Sequence, residues 1–130
     1  MRTARTMHRL TLLAMALATM LQLSAARAAG DAVAGKAVFS RCASCHQVGP
    51  SARGAFGPQL NGIVGRRAAA TGDFKYSPAL KASGIVWTED ALRAFVKAPR
   101  RAVPGTSMRF FGLGDDQKIT DLLAYLQSFR

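Results

Sequence analysis

Residues 42–46 read Cys-Ala-Ser-Cys-His and hold both cysteines of the chain and one of its two histidines. Two thiols three positions apart, with an imidazole directly after the second, admit several chemistries. They can form a redox pair, a small structural disulfide, part of a zinc site, or the anchor of a larger group. A redox pair belongs at a helix N-terminus, where the dipole lowers a thiol pKa. Here Asp31 reads as a cap, and Val33, Ala34, Ala37, Val38 and Phe39 recur at spacings of three to four. That spacing predicts a helix over 32–42, with the motif at its C-terminal end, where the dipole has the wrong sign. No βαβ pattern surrounds the pair. Zinc needs four protein ligands, or three plus water; only Cys42, Cys45 and His46 qualify nearby, and no second Cys or His pair exists. A disulfide across so short a loop adds little stability.

The rest of the chain narrows the choice. Residues 47–76 contain Gly49, Pro50, Gly54, Gly57, Pro58, Gly62, Gly65 and Gly72 and show no sustained period. So long an irregular stretch needs an organiser other than a backbone ladder. Ser77 as cap, Pro78 at the first helical position and Gly84 past the end predict a short helix. Thr88 caps a further helix that carries Leu92, Phe95 and Val96 on one face and stops at Pro99. Residues 99–114 read as loop. In the last segment Ile119, Leu122, Leu123 and Leu126 fall at i, i+3, i+4 and i+7, an amphipathic helix. No strand is predicted. Helices this short are marginal alone, and their shared core is small for the loop content. A bulky apolar ligand at the centre supplies both the missing core and a surface for the loops. Cys-x-x-Cys-His as a haem attachment site meets that need: both thiols bond to the porphyrin edge and the imidazole lies under the iron.

The N-terminus bears on where this happens. Arg2, Arg5 and Arg9 precede an apolar run over residues 10–23, and Ala26 and Ala28 form an A-x-A arrangement. This is the order of a secretory signal peptide over 1–28, leaving a domain over 29–130. The rival is a retained membrane anchor, for which the run is short against the roughly 20 residues a bilayer requires. Loss of the four leader arginines reduces the net charge from +11 to +7, with 14 basic and 7 acidic residues remaining. So basic a surface attracts acidic partners, and export argues against nucleic acid. His46 and Met108 are then the last histidine and methionine left.

The chain resembles a class I cytochrome c, of the mitochondrial and bacterial periplasmic kind. The likeness runs from "GDAVAGKAVFSRCASCH" through "GPQLNGIVGR", "YSPALKASGIVWT" and "VPGTSMRFFGL" to "DLLAYLQSFR". It implies the all-α cytochrome c fold, with three main helices and one or two short ones wrapped around one covalent haem c. Cys42 and Cys45 would form the thioethers, and His46 and Met108 the axial ligands, against the plainer reading of Met108 as a core filler. Pro58 would accept a hydrogen bond from His46. Arg66, Tyr76 and Trp87 would hold a buried haem propionate, the alternative being a solvated Arg and two core aromatics. Gly35, Phe39, Leu122 and Tyr125 would form the crossing of the first and last helices, and Phe110 would stand near the haem edge. Phe95 and Leu80 depart from the mitochondrial pattern, which has a tyrosine and often an asparagine there. Losing a donor to sulfur and drying the pocket act oppositely on the potential.

The implied function is single-electron transport without enzymatic turnover, by a monomer in the periplasm. The resemblance points to quinol–cytochrome c reductase as donor and a terminal oxidase or reaction centre as acceptor, met through Arg41, Lys75, Lys97, Arg100, Arg101 and Arg109. Two other classes stay open: a peroxidase-like or ligand-sensing haem protein with a displaceable Met108, and a haem-free extracytoplasmic disulfide module.

Overall fold

A computed structural model describes residues 29–130, so the leader expected over 1–28 lies outside the described residues. Five helices follow in order: α1 Ala32–Phe39, α2 Pro78–Ala82, α3 Glu89–Lys97, α4 Pro99–Ala102 and α5 Asp116–Gln127. Three are long and two short. Among the described residues there is no strand, only an isolated antiparallel bridge between Arg67 and Val86. No described helix is long and apolar enough to cross a membrane.

Caps start the helices where the sequence placed them. Asp31 accepts from the Val33 and Ala34 N–H groups, Ser77 from Leu80 and Thr88 from Ala91. Asp115 does the same for Gln117 and Lys118 at the head of α5. Each such cap satisfies donors that the first turn leaves free, contributing about 1 kcal/mol.

Two boundaries differ from expectation. The α-helix of α1 stops at Phe39 rather than continuing to 42, and the chain proceeds through turns. The loop expected from 99 also begins with a helix, because Pro99 opens α4 immediately after α3 closes at Ala98. A four-residue helix is too short to leave a periodic signature.

α1 crosses α5 at closest approach around Gly35. A Cβ there would overlap the Asp121 carbonyl and stand 2.8 Å from the Tyr125 Cβ. Phe39 and Tyr125 meet beside this point with ring centroids 5.4 Å apart. Asp121, buried though charged, accepts from the Asp31 N–H at 2.9 Å and from Gln117 Nε2 at 2.9 Å. The same α5 turns its apolar stripe inward: Ile119, Leu122, Leu123 and Leu126 are all buried, with Leu92 and Phe95 of α3 in the same core. Each such side chain contributes about 1.5–3 kcal/mol by leaving water.

Long-range polar contacts organise the irregular stretch over 47–76. Asn61 receives the Gly49 N–H at 2.8 Å and donates to the Gly49 carbonyl at 2.7 Å. Gly65 N–H reaches the Trp87 carbonyl and Ala68 N–H that of Ile85. Asp73 accepts from the Gly54 N–H at 2.6 Å.

Candidate functional site

The turn after α1 winds the Cys-x-x-Cys-His motif tightly. Cys42 and Ala43 N–H groups both bond the Phe39 carbonyl, and Cys45 and His46 N–H groups both bond the Cys42 carbonyl. Cys42 and Cys45 are not joined in a disulfide. Burial pushes the Cys42 thiol pKa up, helped by Cys45, and Arg41 opposes only in part. Such a thiol is no low-pKa exchange nucleophile.

His46 is fixed by its second nitrogen. Nδ1 lies 2.8 Å from the Pro58 carbonyl, to which it donates in the tautomer that leaves Nε2 unprotonated. Burial holds the imidazole pKa below its ordinary value; the Pro58 bond opposes this and Arg66 reinforces it. The ring therefore stays neutral near pH 7, the form that ligates a metal. Gly57 explains how backbone fits beneath it. A Cβ at 57 would stand 2.5 Å from His46 Cε1 and 2.7 Å from Nδ1. The Gly57 N–H also bonds the Cys45 carbonyl at 2.9 Å, fastening this loop to the motif.

These groups open into one cavity of about 480 Å³, inside the roughly 300–1,000 Å³ range of cofactor sites. All eight residues singled out in the sequence line it: Cys42, Cys45, His46, Pro58, Arg66, Tyr76, Trp87 and Met108. Leu60, Ile63, Leu80, Leu92, Phe95 and Leu122 supply apolar walls. Met108 arrives on a loop braced by Thr106 N–H to the Val103 carbonyl and Leu113 N–H to the Val96 carbonyl. Its own N–H bonds Thr106 Oγ1 at 3.3 Å.

Two polar side chains of the cavity, Arg66 and Tyr76, have protein partners. Arg66 donates from Nη1 to the Asn61 carbonyl at 2.9 Å and from Nη2 to the Gln59 carbonyl at 2.7 Å. Burial lowers its pKa, opposed by Tyr76 and Asp73. The Tyr76 hydroxyl pairs with Thr71 Oγ1. Among the described residues nothing accepts from the Trp87 indole N–H, yet no buried side-chain nitrogen or oxygen lacks a partner, so that group opens onto the cavity. Sequence reading missed Gly57, Thr71 and the anchoring carbonyls of Gln59 and Asn61, whose signal lay within "GPQLNG". It also missed Ala69, a cavity-lining residue at φ 58°. Lys97, read from the sequence as one of the rim cations, pairs with Asp116 at 2.7 Å.

An apolar cavity, two cysteine sulfurs, a neutral imidazole with its Nε2 unprotonated and a methionine thioether in one wall fit a haem. Among the described residues no group of three His, Cys, Asp or Glu side chains gathers as a closed metal cage would require. Fold and cavity together define an all-α haem-binding protein. The family model for cytochrome c matches residues 32–130, and the chain belongs to that family, as a class I cytochrome c with one covalently attached haem c. A cytochrome c2 of Blastochloris viridis is 46% identical over 102 residues, covering 78% of this chain and 80% of that one. A cytochrome c-550 of Nitrobacter winogradskyi is 46% identical over 100 residues, covering 77% and 92%. Among solved structures, cytochrome cH from Methylobacterium extorquens superimposes with a TM-score of 0.72 at 38% identity, covering 76% of this chain and 99% of that one.

Proposed function

We propose that this chain is a one-electron carrier whose redox centre is haem c, bonded through Cys42 and Cys45 and ligated by His46 and Met108. The observation that supports this reading most is the 2.8 Å bond from His46 Nδ1 to the Pro58 carbonyl, in a ring that also lines the thiol cavity. That bond orients the imidazole and commits its tautomer, so little rearrangement is needed when charge changes. Bound there, the haem would supply an Fe(II)/Fe(III) couple, held by His46 and Met108, a ligand pair that raises its potential. Leu80, Phe95 and Leu122 keep water from the centre, and Arg66 balances negative charge.

Residues 1–28 are cleaved on export to the periplasm. There the carrier accepts electrons from quinol–cytochrome c reductase and passes them to a terminal oxidase or reaction centre. Contact is salt-sensitive, without nucleic acid and without catalytic turnover. Reversible one-electron reduction of the purified protein, with no carbon monoxide binding to the native ferrous form at neutral pH, is the expected result. Prompt carbon monoxide binding would favour a ligand-binding role.

A further inference from the structure

Residues 45–49 and 57–61 lie side by side, joined by a ladder of hydrogen bonds at a nearly constant offset along the chain. The Gly57 N–H meets the Cys45 carbonyl at 2.9 Å, and the Leu60 N–H meets the Gln47 carbonyl at 2.9 Å. Between these rungs the His46 ring donates from Nδ1 to the Pro58 carbonyl at 2.8 Å. Asn61 makes the last rung. Its Oδ1 accepts from the Gly49 N–H at 2.8 Å, and its Nδ2 donates to the Gly49 carbonyl at 2.7 Å. Gly49 stands at φ 99°, a conformation open to glycine, and turns both of its polar groups to this one side chain. The backbone of Asn61 is engaged as well. Its carbonyl accepts from Arg66 Nη1 at 2.9 Å, and its N–H donates to Gln59 Oε1 at 2.7 Å. Arg66 Nη2 reaches the Gln59 carbonyl in the same turn.

We propose that Asn61 is a positioning residue for the redox centre: its side chain keeps the Pro58 carbonyl on His46, and its carbonyl keeps Arg66 in the cavity wall. The proposal rests on the electron-carrier reading and deepens it, by tying the imidazole ligand and the cavity's guanidinium to one residue. The Pro58 carbonyl is held at the ring by rungs on either side, Gly57–Cys45 on one and Leu60–Gln47 with Asn61–Gly49 on the other. A side-chain amide offers a donor and an acceptor together, which a carboxylate does not. Without it the 57–61 segment keeps only its two backbone rungs, and the His46–Pro58 bond opens more often. Arg66 then loses a fixed pair of carbonyls that suits its planar fork and that a lysine would not match.

The test uses the haem-loaded protein and two readouts. Deuterium exchange of the His46 Nδ1–H, followed by NMR in the reduced state, should be about tenfold faster in Asn61→Ala than in native protein, the effect of about one lost hydrogen bond. Asn61→Asp keeps the acceptor for the Gly49 N–H but loses the donor, so its rate should fall between the two. It carries the test if Asn61→Ala does not take up haem. Asp121→Ala loses a bond of similar length at the α1–α5 crossing, outside the ladder. It should exchange near the native rate, because local opening of the ladder does not pass through that crossing. The second readout is the reduction potential. Arg66→Lys should shift it in native protein, and by about half as much or less in the Asn61 variant, where the carbonyl at 61 is no longer fixed. Native exchange at His46 in the Asn61 variants overturns the proposal, as does an Asp121→Ala protein as fast as they are. Additive shifts in potential overturn it too. Native protein that takes up no haem, or shows no one-electron reduction, removes the carrier reading instead, before any variant is compared.

Discussion

Gly35→Ala puts two effects of opposite sign against each other. In an open helix this change is favourable by about 0.8–1 kcal/mol, because alanine restricts the unfolded chain and favours helix. Here the new methyl would overlap the Asp121 carbonyl, reach 2.5 Å from its carbon and 2.8 Å from the Tyr125 Cβ. These are backbone and first side-chain atoms, so no rotamer change relieves the overlap. α1 and α5 must separate, loosening the 5.4 Å Phe39–Tyr125 contact and the 2.9 Å bond from Asp31 N–H to Asp121. Overpacking costs about 1–3 kcal/mol and a lost hydrogen bond about 1 kcal/mol. After the propensity gain, a net loss of about 2 kcal/mol remains. For a domain of this size that lowers Tm by about 8–16 °C. Thermal unfolding followed by far-UV circular dichroism measures it, with Gly72→Ala as control, since nothing lies within 4 Å of a Cβ at 72. A Gly35→Ala protein melting at or above the native temperature would refute the crossing as the tight point of the fold.

Other perturbations probe separate parts. Asp121→Ala leaves the Asp31 N–H without its acceptor and should cost about 1–3 kcal/mol in denaturant unfolding. Ala69→Gly relieves a left-handed alanine at φ 58° and should stabilise by up to about 1 kcal/mol, read from the same curves. The Gly54 N–H, with Thr71 and Arg66, holds the Asp73 carboxyl below the usual carboxylate range. Its stabilisation is therefore complete above about pH 4, the unfolded value, and is lost as pH falls through the lower folded value. Asp73→Asn should be less stable than native at neutral pH, with the two curves converging in acid. Met108→Ala should let ferrous protein bind carbon monoxide at once, by absorbance, where native protein does not.

Much of this was legible because it rests on local chemistry. Asp31, Ser77 and Thr88 are caps whose side chains compete for first-turn N–H groups wherever they precede an apolar period. Ile119, Leu122, Leu123 and Leu126 announce a buried stripe by spacing alone. Cys42, Cys45 and His46 carry their meaning in five consecutive residues. What stayed hidden depends on contacts between distant segments. Nothing near Asp121 in sequence shows that it receives the Asp31 N–H. Nothing near Gly57 shows that an imidazole lies against it. Nothing near Lys97 in sequence shows that Asp116 pairs with it.

The proposed redox centre is a haem held by two thioethers in the turn after α1. Trypsin digestion of the purified protein, followed by mass spectrometry of the peptide over residues 42–53, tests it directly. This peptide should carry the added mass of one haem and absorb visible light. A colourless peptide at its unmodified mass, or lighter by the two hydrogens of an internal disulfide, would contradict it.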